Sequence, residues 1–96
     1  MTPDQIVKAL DRYAAKLAAA GIREDHVLPA RFEAEGINPT SYQAQAHCHW
    51  MALEAKKFAT EKPAKAMRWL CFIQGVLWRD GDWSIDEFKD DNRGED

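Results

Sequence analysis

The sequence predicts an all-α domain, a small helical bundle, and three observations support this prediction. Apolar residues recur at spacings of three and four in long segments, capping residues and prolines stand where those segments begin, and no alternating apolar and polar run indicates a strand. Of the 96 residues, 46% are hydrophobic and 30% are charged, which is ordinary for a folded protein. We expect one helical domain over residues 1–91 and a frayed acidic tail over 92–96.

The first helix is predicted over about residues 3–20. Thr2 caps it, Pro3 suits the first helical position, and Gln5 can complete a capping box. Gly21 is expected to end the helix in a left-handed conformation. The buried stripe comprises Ile6, Leu10, Tyr13, Leu17 and Ala20. Residues 23–39 are interpreted as a connector, in which a short helix over 30–35 is an alternative.

Two longer helices, about 40–60 and 62–79, are predicted to form a central antiparallel hairpin. Asn38 or Thr40 caps the first, while Thr60 is the expected cap of the second and Pro63 lies in its first turn. The inward residues are Ala44, Cys48, Met51, Ala55 and Phe58, then Ala66, Leu70, Ile73 and Leu77. Gly75 lowers helix propensity by about 1 kcal/mol relative to Ala, so we expect a neighbouring helix to approach closely there.

A short fourth helix is predicted over about 85–90, packed over the end of the hairpin. Ser84 and Glu87 form a capping box, and Trp83 and Phe88 occupy the two positions of a hydrophobic staple. These residues would direct Trp83 back against the preceding helix.

The two cysteines and the N-terminal residues bear on the compartment. Cys48 and Cys71 lie in apolar helical patterns without metal-ligand or redox spacing, so both are interpreted as small buried residues. The sequence has no apolar run long enough to cross a bilayer, and its first residues do not resemble a signal peptide. We expect a cytoplasmic protein without membrane contact.

The group His47, Cys48 and His49 suggests zinc, but helical geometry argues against it. Residues two apart on a helix point about 200° apart, whereas zinc ligands on a helix need spacings of three or four. One histidine is expected at a helix interface and the other in solvent. The common nucleophile, phosphate-loop and metalloprotease motifs are missing from the sequence. We therefore expect neither an enzyme, nor a metal, nor a cofactor.

Charge is unevenly distributed along the chain. Residues 80–96 carry eight acids against Lys89 and Arg93, a local net charge of −6, so the first 79 residues carry +3 within the total of −3. Five bases, Lys56, Lys57, Lys62, Lys65 and Arg68, surround the predicted helix junction. One interpretation is a solvated helix corner; the other is a site for an acidic partner, a nucleotide or a nucleic-acid backbone.

The four tryptophans exceed what so small a core easily encloses, which favours a homo-dimer or higher oligomer. The candidate binding residues are Lys57, Lys62, Lys65, Arg68, Trp69, Trp50 and Trp78.

The C-terminal half, read as RWLCFIQGVLW followed by GDWSIDEFKDDNR, resembles a group of small phage-encoded accessory proteins with an RWLxFIQGxLW helix, an SIDE helix and an NR ending. The resemblance covers about Met51 to Arg93, and it assigns no activity and no site residues. It implies a protein made in an infected cell or from a prophage. We therefore expect a non-enzymatic protein that binds a host protein, with binding or sequestration of a nucleotide or nucleic acid through residues 56–68 as the alternative.

Overall fold

The computed structural model describes residues 1–27 and 39–80. Three helices are present there: α1 (Pro3–Ala19), α2 (Ser41–Phe58) and α3 (Pro63–Arg79). The described residues contain no strand. The all-α prediction is confirmed, and the bounds of all three long helices lie within two residues of the predicted ones.

Capping explains where the helices begin. The Thr2 side chain accepts from the Gln5 backbone while the Gln5 side chain accepts from the Thr2 backbone, and Thr40 and Gln43 repeat this reciprocal pair at the start of α2. Helix α3 begins differently, because the capping position is Lys62, whose side chain makes no capping bond. The prediction of Thr60 as this cap was wrong. Pro63 alone sets the start, since its fixed φ suits the first helical turn.

Helix α1 ends where the sequence predicts. Gly21 has a φ of 80°, which an L-residue with a side chain rarely adopts. The backbone N–H of Ile22 then donates to Leu17 at 3.0 Å, and Ile22 packs against the core. Ala20 was predicted to be buried but is exposed; it follows Ala19, the last residue of α1, so the helical periodicity behind the prediction no longer applies to it.

Side-chain bonds fix the directions of the helices. Asp80, just after α3, accepts from Ser41 and Gln45 at the start of α2 at 3.4 and 3.3 Å, so α2 and α3 form the predicted antiparallel hairpin. Asp11 in α1 pairs with Lys56 near the end of α2. Ile22, which follows α1, contacts His49 in the middle of α2 through its carbonyl. As the chain advances from Asp11 to Ile22, its contacts on α2 therefore move back from Lys56 to His49, so α1 is also antiparallel to α2.

The core lies where the three helices meet. It consists of Ile6, Ala9, Leu10, Tyr13, Ala14, Leu17, Cys48, Met51, Ala52, Ala55, Ala59, Ala66, Leu70, Ile73 and Leu77. Small residues on α2 face larger ones on α1 and α3, which allows close packing of the middle helix. Of the residues predicted to face inward on α2 and α3, Ala44 and Phe58 are only partly buried.

Two predictions for α3 were wrong. Cys71 is exposed, although Cys48 is buried as expected. Gly75 is also exposed, and a Cβ built on it would meet no described residue within 4 Å, so neither α1 nor α2 approaches it. Both errors have one cause: α3 is apolar over most of its circumference, but only two of its sides contact α1 and α2.

The remaining predictions concern residues outside the described ranges. These are the short helix at 30–35, the capped helix at 85–90 with its Trp83–Phe88 staple, and the tail at 92–96. The single domain over 1–91 stays a prediction. Among the described residues, no helix has the length and apolar character needed to cross a membrane.

Candidate functional site

The lysines at the junction of α2 and α3 lie on a tight turn. The Lys62 backbone donates to the Phe58 carbonyl at 2.8 Å, and its own carbonyl accepts from Ala66 at 3.0 Å, so α3 starts almost directly where α2 ends. Lys56 and Lys57 occupy the last turn of α2, where cations are favoured by the negative end of the helix dipole. The turn therefore concentrates the positive charge that the sequence predicts.

Two of these bases are already paired. Lys57 donates to Glu54 at 2.7 Å, and this hydrogen bond, followed by the negative charge of Glu54, raises the pKa of Lys57. Lys56 pairs with Asp11. Within the part of the chain that the structure describes, Lys62, Lys65 and Arg68 form no ion pair. The charge available to a ligand is therefore centred on the first turns of α3 rather than on the end of α2.

Aromatic rings adjoin this charge in a continuous row. Trp50 on α2 lies 6.0 Å from Trp69 on α3, centroid to centroid, and Trp69 meets the edge of Phe58 at 5.0 Å. The Lys65 ammonium lies 4.7 Å from the Phe58 centroid and 5.4 Å from that of Trp69. All four side chains are partly buried. We call Trp50, Phe58, Lys65 and Trp69 the aromatic–basic surface.

His26 extends the row beyond α2. Its ring lies parallel to that of Trp50, with the centroids 3.9 Å apart and an interplanar angle of 2°. His26 belongs to the segment 22–27 that follows α1, and no sequence pattern pairs it with Trp50. It therefore occupies one face of Trp50 in the way that a flat heterocycle would.

Three further contacts hold the segment 22–27 against α2. The His49 ring nitrogen Nδ1 lies 2.8 Å from the Ile22 carbonyl, and the Asp25 backbone donates to the Ala46 carbonyl at 3.1 Å. The Arg23 backbone donates more weakly to the Tyr42 hydroxyl at 3.5 Å. His49 is thus the histidine predicted at an interface, although the interface is with this segment rather than with a helix.

His47 is not the solvated residue that the sequence suggested. It is partly buried beside His26 and Trp50, at centroid distances of 5.7 and 5.5 Å. Its Nδ1 is buried and has no hydrogen-bond partner among the described residues. Burial, and then the charge of His26, lower its pKa, while Asp25 acts in the opposite direction. A neutral imidazole is therefore favoured here.

The two cysteines and the potential metal ligands have different surroundings in the described residues. No three His, Cys, Asp or Glu side chains are grouped there to hold a metal. Burial, followed by the negative charge of Asp80, raises the pKa of Cys48 to about 12, so its thiol is protonated and inert. Cys71 is exposed on α3.

Trp78 lies apart from the other candidate residues. It is 54% exposed, as is Phe72, and it lies nine residues after Trp69, which places the two indoles on opposite sides of α3. Arg68 lies on the exposed side between them. The structure thus groups Trp50, Trp69 and Lys65, with Lys57, Lys62 and Arg68 nearby in sequence at the same helix junction, and it places Trp78 on the other side of α3.

A second surface lies on the exposed side of α3, where Arg68 and Trp78 are the predicted binding residues. The exposed residues of α3 are Ala64, Arg68, Cys71, Phe72, Gly75, Trp78 and Arg79, besides Pro63 at its start. We call the seven from Ala64 to Arg79 the outer α3 face. Phe72 and Arg79 continue the spacing of four and three that begins at Arg68 and passes through Gly75; in the sequence, this spacing was used only for the inward residues of the helix.

Comparison with protein-family models, with curated proteins and with solved structures gives no match for this chain.

Proposed function

We propose that the chain is a non-enzymatic phage or prophage accessory protein that binds a host protein, with defence proteins as one class of target, and inhibits or redirects it. The infected-cell context comes from the resemblance of Met51–Arg93 to small phage proteins. In this proposal the protein acts in the host cytoplasm and as a homo-oligomer. The aromatic–basic surface is its contact for the host protein.

The observation that carries the proposal is the placement of the Lys65 ammonium over partly exposed aromatic rings. Lys62 and Lys65 form no ion pair among the described residues, and Lys65 lies over Phe58 and Trp69. Aromatic residues supply most of the energy at protein interfaces, whereas charges at the rim accelerate association and select partners. The partner should therefore present acidic side chains around an apolar recess.

Charge reversal tests this proposal. The full chain, Lys62→Glu/Lys65→Glu and the control Lys8→Glu are each used to capture proteins from infected-cell lysate, and bound proteins are quantified by mass spectrometry. Lys8 is exposed on α1, so the control changes charge away from the surface. We expect the same host protein with the wild type and the control, and at least a tenfold loss with the double variant. Equal capture by all three, or no captured host protein, contradicts the proposal.

A second candidate function is binding of a nucleotide or nucleic acid at the same surface. The parallel contact of His26 with Trp50 at 3.9 Å favours it, because nucleobases stack on tryptophan in the same geometry. Lys62 and Lys65 would then contact phosphate.

Calorimetry with mononucleotides and short single-stranded DNA at two salt concentrations separates the candidates. Nucleic-acid binding should weaken with salt and with Trp50→Ala, and it should strengthen with His26→Ala, which uncovers the ring. No heat with any of these ligands would remove the nucleotide candidate and leave the protein-binding proposal intact.

A further inference from the structure

Segment 22–27 is held against α2 firmly at its start and lightly towards its end. Ile22 packs against the core, and its carbonyl lies 2.8 Å from Nδ1 of His49, a side chain that is only 9% exposed. The residues that follow Ile22, up to His26, are exposed. There the backbone of Asp25 and the ring of His26 contact α2. This end can therefore separate from α2 while Ile22 stays in the core.

Separation of this end leaves its backbone hydrogen-bonding groups satisfied. The Ala46 carbonyl lies inside α2, where it also accepts from the backbone N–H of Trp50, four residues later. It therefore keeps a hydrogen bond when the Asp25 N–H departs. Asp25 is exposed, so its N–H bonds to water instead. Opening then costs chiefly the contact between the rings of His26 and Trp50, and such local opening needs far less free energy than global unfolding.

Among the described rings beside Trp50, that of His26 is the one that does not belong to a helix. His47 lies on the same helix as Trp50, and Trp69 lies on the helix that forms the hairpin with it. His26 makes the closest of these contacts, with the centroids 3.9 Å apart and the planes within 2°. One face of Trp50 is therefore covered by a side chain that can leave without movement of a helix.

The segment also brings an acid to the basic end of α2. The hydrogen bond and the charge of Glu54 raise the pKa of Lys57, and the negative charge of Glu24 adds to this effect. Glu24 thus acts on a candidate binding residue as an acidic partner would, while His26 occupies Trp50 and the Asp25 backbone donates to α2. A carboxylate, a planar side chain and a backbone N–H are together the contacts of a peptide rather than of a nucleotide.

We propose that segment 22–27 is a displaceable strap that covers the aromatic–basic surface in the free protein. Its replacement in the complex is a short acidic peptide of the host partner that carries a planar side chain. The strap is an autoinhibitory contact, because His26 and the partner compete for one face of Trp50. The apparent affinity for the partner is reduced in proportion to the fraction of molecules in which the strap is open. This inference rests on the proposed function and adds the kind of peptide that the surface accepts.

Amide hydrogen exchange of the full chain, followed by NMR, tests whether the strap opens. The Asp25 amide reports opening, because its hydrogen bond to Ala46 is then lost. We expect this amide to exchange without global unfolding, so that low urea leaves its rate unchanged. His26→Ala should accelerate the exchange about three- to tenfold, the equilibrium effect of one stacked aromatic pair. His26→Phe keeps a ring on Trp50 and should restore the wild-type rate.

Capture from infected-cell lysate with the same variants tests whether the strap competes with the partner. We expect His26→Ala to capture more host protein than the wild type, by the factor that its exchange rate increases, because both depend on the open fraction. His26→Phe should capture at the wild-type level. Arg23→Ala is the matched control in both experiments and should change neither, since Arg23 is exposed in the same segment and contacts α2 through its backbone. AMP added to the exchange experiment tests a nucleotide in place of the peptide.

The outcomes distinguish the strap from the proposed function. Exchange at Asp25 that is unaffected by His26→Ala, or that requires global unfolding, would overturn the strap and leave the host-binding proposal in place. Faster exchange with unchanged capture would also overturn it, because the segment would then not compete with the partner. If no variant captures a host protein but AMP accelerates exchange at Asp25, a nucleotide displaces the segment and the peptide is wrong. If neither a host protein nor AMP binds, the inference and the proposed function both fail.

Discussion

The two glycines in the described residues provide a matched test of the structure, because substitution by Ala should change stability in opposite directions. At neither position does a described residue lie within 4 Å of an added Cβ, so sterics with the described neighbours do not distinguish them. Gly75 lies inside α3, whereas Gly21 has a φ of 80°. The difference between the two variants therefore isolates backbone conformation.

For Gly75→Ala we expect a gain of about 1 kcal/mol in the free energy of unfolding, since Gly is less favourable than Ala in a helix interior by that amount. In a domain of this size the gain corresponds to an increase in Tm of about 4–8 °C. For Gly21→Ala we expect a loss of about 1 kcal/mol, because a left-handed L-residue costs about 1–2 kcal/mol and the reduced freedom of the unfolded chain offsets part of it.

Urea unfolding followed by circular dichroism, at low protein concentration so that self-association does not contribute, measures both changes. A stability decrease in Gly75→Ala would mean that another part of the chain packs against that position, and the outer α3 face would no longer be free. A stability increase in Gly21→Ala would contradict the left-handed end of α1. If both variants changed in the same direction, backbone conformation would not be the controlling factor.

Three further predictions concern buried polar groups and thiols. Tyr13→Phe removes the acceptor of the buried 2.9 Å hydrogen bond from Gln74, and it should lower the free energy of unfolding in urea by about 1–3 kcal/mol. The double variant Tyr13→Phe/Gln74→Leu should lose less than the sum of the two single changes. Additive losses would contradict the hydrogen bond. The pKa of His47 is lowered in the fold, so the unfolded chain binds more protons than the folded one. The free energy of unfolding should therefore fall as the pH drops below about 6.5, the pKa of histidine in an unfolded chain, and level off below the folded pKa. His47→Asn should flatten this pH dependence, and an unchanged dependence would exclude His47 as its source. A maleimide should modify Cys71 in the folded protein and Cys48 only after unfolding, as mass spectrometry of the two peptides would show; rapid labelling of Cys48 would contradict its burial.

The parts of the fold that depend on local sequence could be predicted well. A capping box needs only residues three apart, so Thr2 and Gln5 identify the start of α1 without knowledge of its neighbours. The positive φ of Gly21 is likewise a local requirement. Spacings of three and four within α3 correctly identify Leu70, Ile73 and Leu77 as core, because they define the middle of its apolar face.

The parts that depend on how many neighbours a helix has could not be predicted. Periodicity gives the angle of each residue around α3 but not how much of the circumference is covered. Cys71 lies only about 100° from Leu70, and it is exposed because no element of the described chain packs on that side. The prediction of a close neighbour for Gly75 failed for the same reason. The predicted site did not include His26, because no local sequence pattern relates residue 26 to Trp50.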